Sequence, residues 1–156
     1  CVEFPSVPMA AIDHLAAVEQ ALGVDVMSMH QPEGNAWQMV CELANQAAVE
    51  ACDPDFSALA EATALGVAVT AKGDTHDFVS RFFIPQLGIN EDPVTGSAHC
   101  QLTPFWAAKL RKRRLVAHQL SSRGGDLTCE LKGNRVQLSG NCSLFAEGVL
   151  HLPSAE

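Results

Sequence analysis

The sequence predicts an α+β domain: a curved, mostly antiparallel sheet wrapped around a central helix. Three features point there. Strand-like segments outnumber helical ones by about eight to three, and the carboxy-terminal third is a run of short strands with no helix between them. That run excludes a regular βαβ alternation. The segment from Ser97 or Ala98 to Leu110 carries Ala98, Leu102, Phe105, Trp106 and Leu110, with Cys100 and Ala107, so it is apolar on more than one side and must be enclosed. Finally, 47% hydrophobic against 18% charged residues over 156 positions is ample for the core of one domain spanning 1–156.

The elements follow in order. Glu3–Phe4 ends a short strand that Pro5 and Pro8 interrupt. Met9 to Leu22 carries Ile12, Leu15, Ala16, Val18 and Leu22 at roughly helical spacing, with Gly23 as its stop. Val24 to Met29 reads as a strand, and Gln31 to Asn35 as a turn. Trp37, Met39, Cys41 and Leu43 alternate with more polar neighbours, which describes a half-buried strand. Asp53 and Pro54 open a helix with Phe56, Leu59, Ala60 and Leu65 on one face, ended by Gly66. Val67 to Thr70 and Asp77 to Ile84 are strands on either side of a Gly73-Asp74 turn, and Pro85 stops the second. Leu87 to Gly96 is a loop. After the enclosed helix come strands at Leu115–Leu120, Leu127–Leu131, Arg135–Leu138 and Ser143–Leu152. They are separated by Arg123-Gly124-Gly125-Asp126, Lys132-Gly133-Asn134 and Gly140-Asn141, all hairpin-turn chemistry.

Charge and cysteine usage narrow the function. A net charge of −8 argues against nucleic acid, which needs a basic face. No stretch approaches a membrane span. The six cysteines, Cys1, Cys41, Cys52, Cys100, Cys129 and Cys142, are widely spaced with no CxxC pair, which predicts reduced thiols in a cytoplasmic protein. Adjacent His99 and Cys100 with no second ligand pair predict no metal site.

The chemistry is concentrated at Glu91-Asp92-Pro93-Val94-Thr95-Gly96-Ser97-Ala98-His99. A tight loop with two carboxylates runs into the start of the enclosed helix. There the backbone N–H groups lack intrahelical acceptors, and Gly96 permits close approach, which suits a small carboxylate. The same residues also fit a simpler reading, with Thr95 or Ser97 as a cap and Asp92-Pro93 as a turn. His99 either reaches the helix mouth or bonds a carbonyl in the core. Arg81 either touches ligand or neutralises Glu91. Cys100 reads as an inert buried thiol.

The segments Arg81-Phe82-Phe83, Glu91 through His99, and Gln119 through Arg123-Gly124-Gly125 resemble the phenazine-biosynthesis PhzF-like family of isomerases. The resemblance runs from the Phe4-Pro5 strand to Gly148 and corresponds to the carboxy-terminal domain only, with the family's amino-terminal domain absent. It implies a diaminopimelate epimerase-like fold, in which two similar domains flank a cleft. It further implies that Asp92 faces the cleft as the catalytic carboxylate that relays or orients a proton. Gly96 and Ser97 would hold substrate; the residues themselves add Thr95 at the same helix start, with His99, Glu91 and Arg81 as a second layer behind them. No cofactor is implied, because two acid/base groups flanking an activated C–H suffice. The family's glutamate acid/base has no counterpart here. The expected function is therefore isomerase- or epimerase-type proton transfer on a small carboxylate, completed by a second domain or subunit. That partner would be a second copy in a homodimer or a separate amino-terminal half. The alternatives are a non-catalytic self-associating domain and a small-carboxylate binding module.

Overall fold

The computed structural model describes residues 1–32 and 37–150. Among them are strands β1 (Val2–Pro5), β2 (Met9–Ile12), β3 (Ser28–Pro32), β4 (Gln38–Glu42), β5 (Gly66–Lys72), β6 (Phe78–Ile84), β7 (Ile89–Glu91), β8 (Arg114–Gln119), β9 (Gly125–Lys132) and β10 (Arg135–Ser139). The helices are α1 (Ala16–Leu22), α2 (Gln46–Ala51), α3 (Phe56–Ala62) and α4 (Gly96–Leu110), with a 3₁₀ turn at Pro85–Leu87. One sheet runs β1-β10-β9-β8-β6-β5-β4-β3-β2, and β7 hangs on β6. Among the described residues only the β4–β5 and β6–β8 pairs are parallel. This is the expected curved, mostly antiparallel sheet.

The sheet separates two cores. On its concave side lies α4, against Val40, Ala68, Phe78, Phe82, Leu115, Ala117, Cys129, Val136 and Leu138. On the convex side α1, α2 and α3 cover Met39, Cys41, Val67, Val69, Val79 and Phe83. The two-residue alternation of β4, β5 and β6 sends successive side chains into opposite cores. The expected half-buried strand at Trp37–Leu43 is thus covered on both faces, with Gln38 through Cys41 all buried. Helix α4 is enclosed as its composition requires: Leu102 and His99 are fully buried and Trp106 nearly so. The Trp106 indole donates to Thr70 Oγ1 at 2.9 Å, and Thr70 Oγ1 donates to the Val79 carbonyl at 2.7 Å, which pins α4 to the sheet.

Several expected elements differ. Met9–Ile12 is a strand rather than the start of a helix, because it pairs with β3 from Met9↔Pro32 to Ile12↔Met29. Helix begins only at Ala16 and ends, as expected, at Gly23 with φ 68°. The next strand starts at Ser28 rather than Val24 and takes in Gln31 and Pro32; positions 33–35 of the expected turn lie outside the described residues. The helix expected from Asp53 starts at Phe56. Pro54 keeps the residue before it extended, and Asp55 supplies the cap by accepting from the Ala58 N–H at 2.9 Å. The unexpected α2 is capped in the same way by Asn45, which accepts from Ala48. The loop after Leu87 contains β7, paired to β6.

The final expected strand, Ser143–Leu152, is absent over 143–150; positions 151 and 152 lie outside the described residues. Both sides of β10 are already taken, by β9 and β1, so this segment does not extend the hairpin series onto β10. Leu144, Phe145, Val149 and Leu150 stand more than 80% exposed there. All six cysteines are free, with Cys41, Cys52, Cys100 and Cys129 buried and Cys1 and Cys142 exposed.

Candidate functional site at the amino terminus of helix α4

The loop from Asp92 to Thr95 is fixed from below by the end of β8 and the turn after it. Gln119, fully buried, accepts from the Thr95 N–H through Oε1 at 2.8 Å. Its Nε2 donates to the Asp92 carbonyl at 2.7 Å and to Thr95 Oγ1 at 3.1 Å. Ser121 Oγ donates to the Pro93 carbonyl at 2.7 Å and accepts from the Gly124 N–H at 3.0 Å. Gly125 lies so close to Val94 that an added Cβ would sit 2.4 Å from its Cγ2. The Asp92 N–H donates to the Phe82 carbonyl at 3.0 Å, tying the loop to β6.

These bonds decide what Thr95 does. It occupies the N-cap position, with φ −103° and ψ 97°, yet its side chain makes no capping bond. The hydroxyl instead donates to Asp92 Oδ2 at 2.5 Å. It therefore leaves the first-turn N–H groups, which have no intrahelical acceptor, to other partners. The result is a half-buried carboxylate held at a helix amino terminus whose expected cap is engaged elsewhere.

Beside this terminus lies a cavity of about 290 Å³, lined by Phe4, Pro5, Val7, Trp37, Gly96, Ser97, Cys100 and Gln101. Its walls are mostly carbon. Asp92 is not among them, so the cavity adjoins the Gly96–Ser97 side of the mouth. Ser97 is exposed and accepts from Gln38 Nε2 at 3.0 Å. Gln38 is wholly buried, and its Oε1 has no partner among the described residues; the same holds for Gln101 Oε1 and His99 Nε2.

The remaining expected site residues divide. His99 is fully buried, with Nδ1 on the Thr95 carbonyl at 2.8 Å and its ring 5.9 Å from that of Phe78. Burial pushes its pKa down, and the Thr95 bond offsets this in part. Arg81 turns to the convex side. Its Nε and a terminal nitrogen form a fork on Glu91 at 2.8 and 3.0 Å, and it also donates to the Val49 carbonyl. The Glu91 bonds raise the Arg81 pKa, although burial opposes them. Arg81 and Glu91 thus join β6, β7 and α2 together, while Asp92, Thr95, Gly96 and Ser97 gather at the mouth of α4. Burial raises the Cys100 thiol pKa, and its Sγ lies 3.5 Å from the Gly96 carbonyl.

Gln38 and Gln101 escaped the sequence reading. Their only signal is an amide within an otherwise apolar strand or helix, a pattern that surface glutamines share.

A family model described as phenazine biosynthesis-like protein matches residues 3–148. An uncharacterised isomerase of Pseudomonas aeruginosa is 46% identical over 154 residues, covering 97% of this chain and 57% of that protein. A second uncharacterised isomerase of that organism is 51% identical over 104 residues, 67% of this chain and 40% of that protein. The crystal structure of a phenazine biosynthesis protein of the PhzF family from Enterococcus faecalis superposes with a TM-score of 0.87 at 43% identity, covering 97% of this chain and 57% of that one. The chain therefore spans a little over half the length of these full-coverage relatives. The likeness expected for a carboxy-terminal domain only is corrected by the extent of the match: it takes in almost the entire chain, residues 3–148. The curled sheet with its internal helix is the fold of these relatives.

Proposed function

The chain belongs to the phenazine biosynthesis-like family, whose relatives are named isomerases, and on that premise we propose that the mouth of α4 is one wall of a proton-transfer site. Asp92 accepts or orients a proton at carbon. The N–H groups of Gly96 and Ser97, with the Thr95 segment behind them, hold the carboxylate of a small acid. The observation that carries this reading is the Thr95 hydroxyl bond to Asp92 Oδ2. It fixes a carboxylate beside helix donors that Thr95 would otherwise cap, and those donors favour an anion. Removing a proton from one carbon face and returning it elsewhere needs a second acid/base, which we assign to a second domain or a second subunit.

The apolar exposure at Leu144, Phe145, Val149 and Leu150, with Trp37 at 53%, supports such a partner. A homodimer or a complementary half-protein would each cover it. Among the described residues no helix is long and apolar enough to cross a membrane. The four buried free thiols fit a reducing, cytoplasmic setting. Carboxylate binding without turnover is the second reading, favoured by the apolar cavity next to Gly96 and Ser97.

Two measurements separate these readings. Titration with small carboxylates, followed by amide shifts, should move Gly96 and Ser97 to saturation. Incubation with candidate chiral or unsaturated acids in deuterated water should then incorporate deuterium at carbon, and Asp92→Asn should abolish this. Saturating shifts without exchange, even after a relative's remaining half is supplied, would leave a binding module. Shifts confined to residues remote from Ser97 would overturn both readings.

A further inference from the structure

Away from the α4 mouth, on the convex side of the β8–β9 hairpin, three ligand-type side chains converge. His118 and Asp126 are register partners across the two strands, with His118 Nδ1 2.6 Å from Asp126 Oδ1. His76, from the turn between β5 and β6, places Nε2 3.3 Å from the same oxygen. The three ligand atoms all lie within 4.8 Å of one another. We propose that His76 Nε2, His118 Nδ1 and a carboxylate oxygen of Asp126 form a binding site for a divalent transition-metal ion of the zinc class.

The geometry suits that ion. Zinc bonds of about 2.0–2.1 Å to nitrogen and oxygen in a tetrahedron separate ligand atoms by roughly 3.3 Å. The His76–Asp126 separation already has that value. The His118–Asp126 pair has only to open from its hydrogen bond, and Asp126, 69% exposed, is free to swing. Two imidazoles with one carboxylate select zinc, cobalt, nickel or copper over magnesium and calcium, which prefer all-oxygen sites. Three protein ligands leave a fourth position for water.

An outer hydrogen bond suits His76 to this role. Thr75 Oγ1 lies 3.1 Å from His76 Nδ1. When Nδ1 carries the proton for that bond, the Nε2 lone pair faces Asp126, the arrangement outer hydrogen bonds enforce at metal sites. The two imidazole centroids are 5.2 Å apart and tilted by 34°, so the rings flank a shared space without stacking. Gly124, at φ 68°, packs against the far edge of His118; an added Cβ there would lie 3.4 Å from Nε2. A bound ion would clamp β8, β9 and the 73–77 turn together, one residue from Gln119.

The test uses the chain with Cys1→Ser and Cys142→Ser, which removes the exposed thiols as competing ligands. Titration against a chromophoric zinc chelator at neutral pH should show one equivalent bound. Co²⁺ should give visible d–d absorption without a thiolate charge-transfer band. His118→Ala and His76→Ala should each weaken binding by about a hundredfold, and Thr75→Val by about tenfold. Circular dichroism of each variant verifies that it is folded. For any variant that is not, His118→Gln or Asp126→Asn replaces it. No zinc bound in competition with the chelator, or unchanged affinity in the folded double variant of His76 and His118, would overturn the site.

Discussion

The Gln119 side chain holds both ends of the Asp92 turn: Nε2 donates to the Asp92 carbonyl at 2.7 Å while Oε1 accepts from the Thr95 N–H at 2.8 Å. An amide carries its donor and its acceptor on separate atoms, so this one side chain satisfies both backbone groups at once. Gln119→Ala should therefore strand a buried N–H and a carbonyl and cost about 2–4 kcal/mol. Urea unfolding should show a lower midpoint with an unchanged m-value. Gln119→Glu keeps the acceptor but sets a buried carboxylate oxygen against the Asp92 carbonyl, so it should cost at least as much as Gln119→Ala. A Gln119→Ala midpoint equal to that of the native chain would mean that the loop is held by β6 and Ser121 alone.

Gly125 and Val94 make a second contact under the same turn. A Cβ at 125 would come within 2.4 Å of Val94 Cγ2, so Gly125→Ala must push the loop or the hairpin aside. Overpacking of this kind costs about 1–3 kcal/mol. Adding Val94→Ala should recover most of that loss, because it removes the methyl that is struck. A double variant no better than Gly125→Ala would place the strain in the backbone of the turn.

Much of this arrangement was legible in the residues. The all-round apolar character of the 97–110 segment predicted an enclosed helix, and the glycine turns predicted the β8–β9–β10 hairpins. The Asp92–Thr95 segment was legible as a loop running into the start of α4 from its turn residues. What failed was decided by tertiary pairing. Met9–Ile12 has a helical apolar pattern but lies beside β3, and Ser143–Leu150 has a strand pattern but follows β10, whose two sides β9 and β1 already occupy. Gln119 stood in the quoted motif without a role, because its partners are 24 and 27 residues away. His76, His118 and Asp126 follow no ligand spacing, since only the register of β8 with β9 and the 73–77 turn bring them together.

The thiols should divide by burial. Burial pushes Cys41 and Cys129 up to about 12 and Cys52 up to about 11, and raises Cys100 as well. A thiol held that high carries almost no thiolate at neutral pH. A disulfide reagent should therefore label only Cys1 and Cys142 in the native chain, and all six in denaturant. Rapid native labelling of Cys100, which lines the cavity at the α4 mouth, would show that this wall opens.

His99 should make the stability of the fold depend on pH. Its ring is fully enclosed, and burial lowers its pKa below the ordinary value of 6.5. Nδ1 is satisfied by the Thr95 carbonyl, but Nε2 has no partner for a second proton among the described residues. The neutral ring is thus the form that the fold accepts. In the unfolded chain the same imidazole takes up a proton near its ordinary pKa. Between the two values the unfolded state binds more protons, so stability rises with pH. The His99 contribution is complete above about pH 6.5 and is lost as pH falls from there toward the lower folded value. Melting temperatures should be flat from about pH 8 to 7 and fall steadily toward about pH 5. Burial also lowers the pKa of the less buried His30, which adds to the same slope. His99→Asn retains a donor for the Thr95 carbonyl but removes the titrating ring. It should melt lower at pH 8, from the lost packing against Phe78, and show a shallower fall below pH 6.5. Equal slopes in the two proteins would assign the acid sensitivity to other groups and leave His99 a packing residue only.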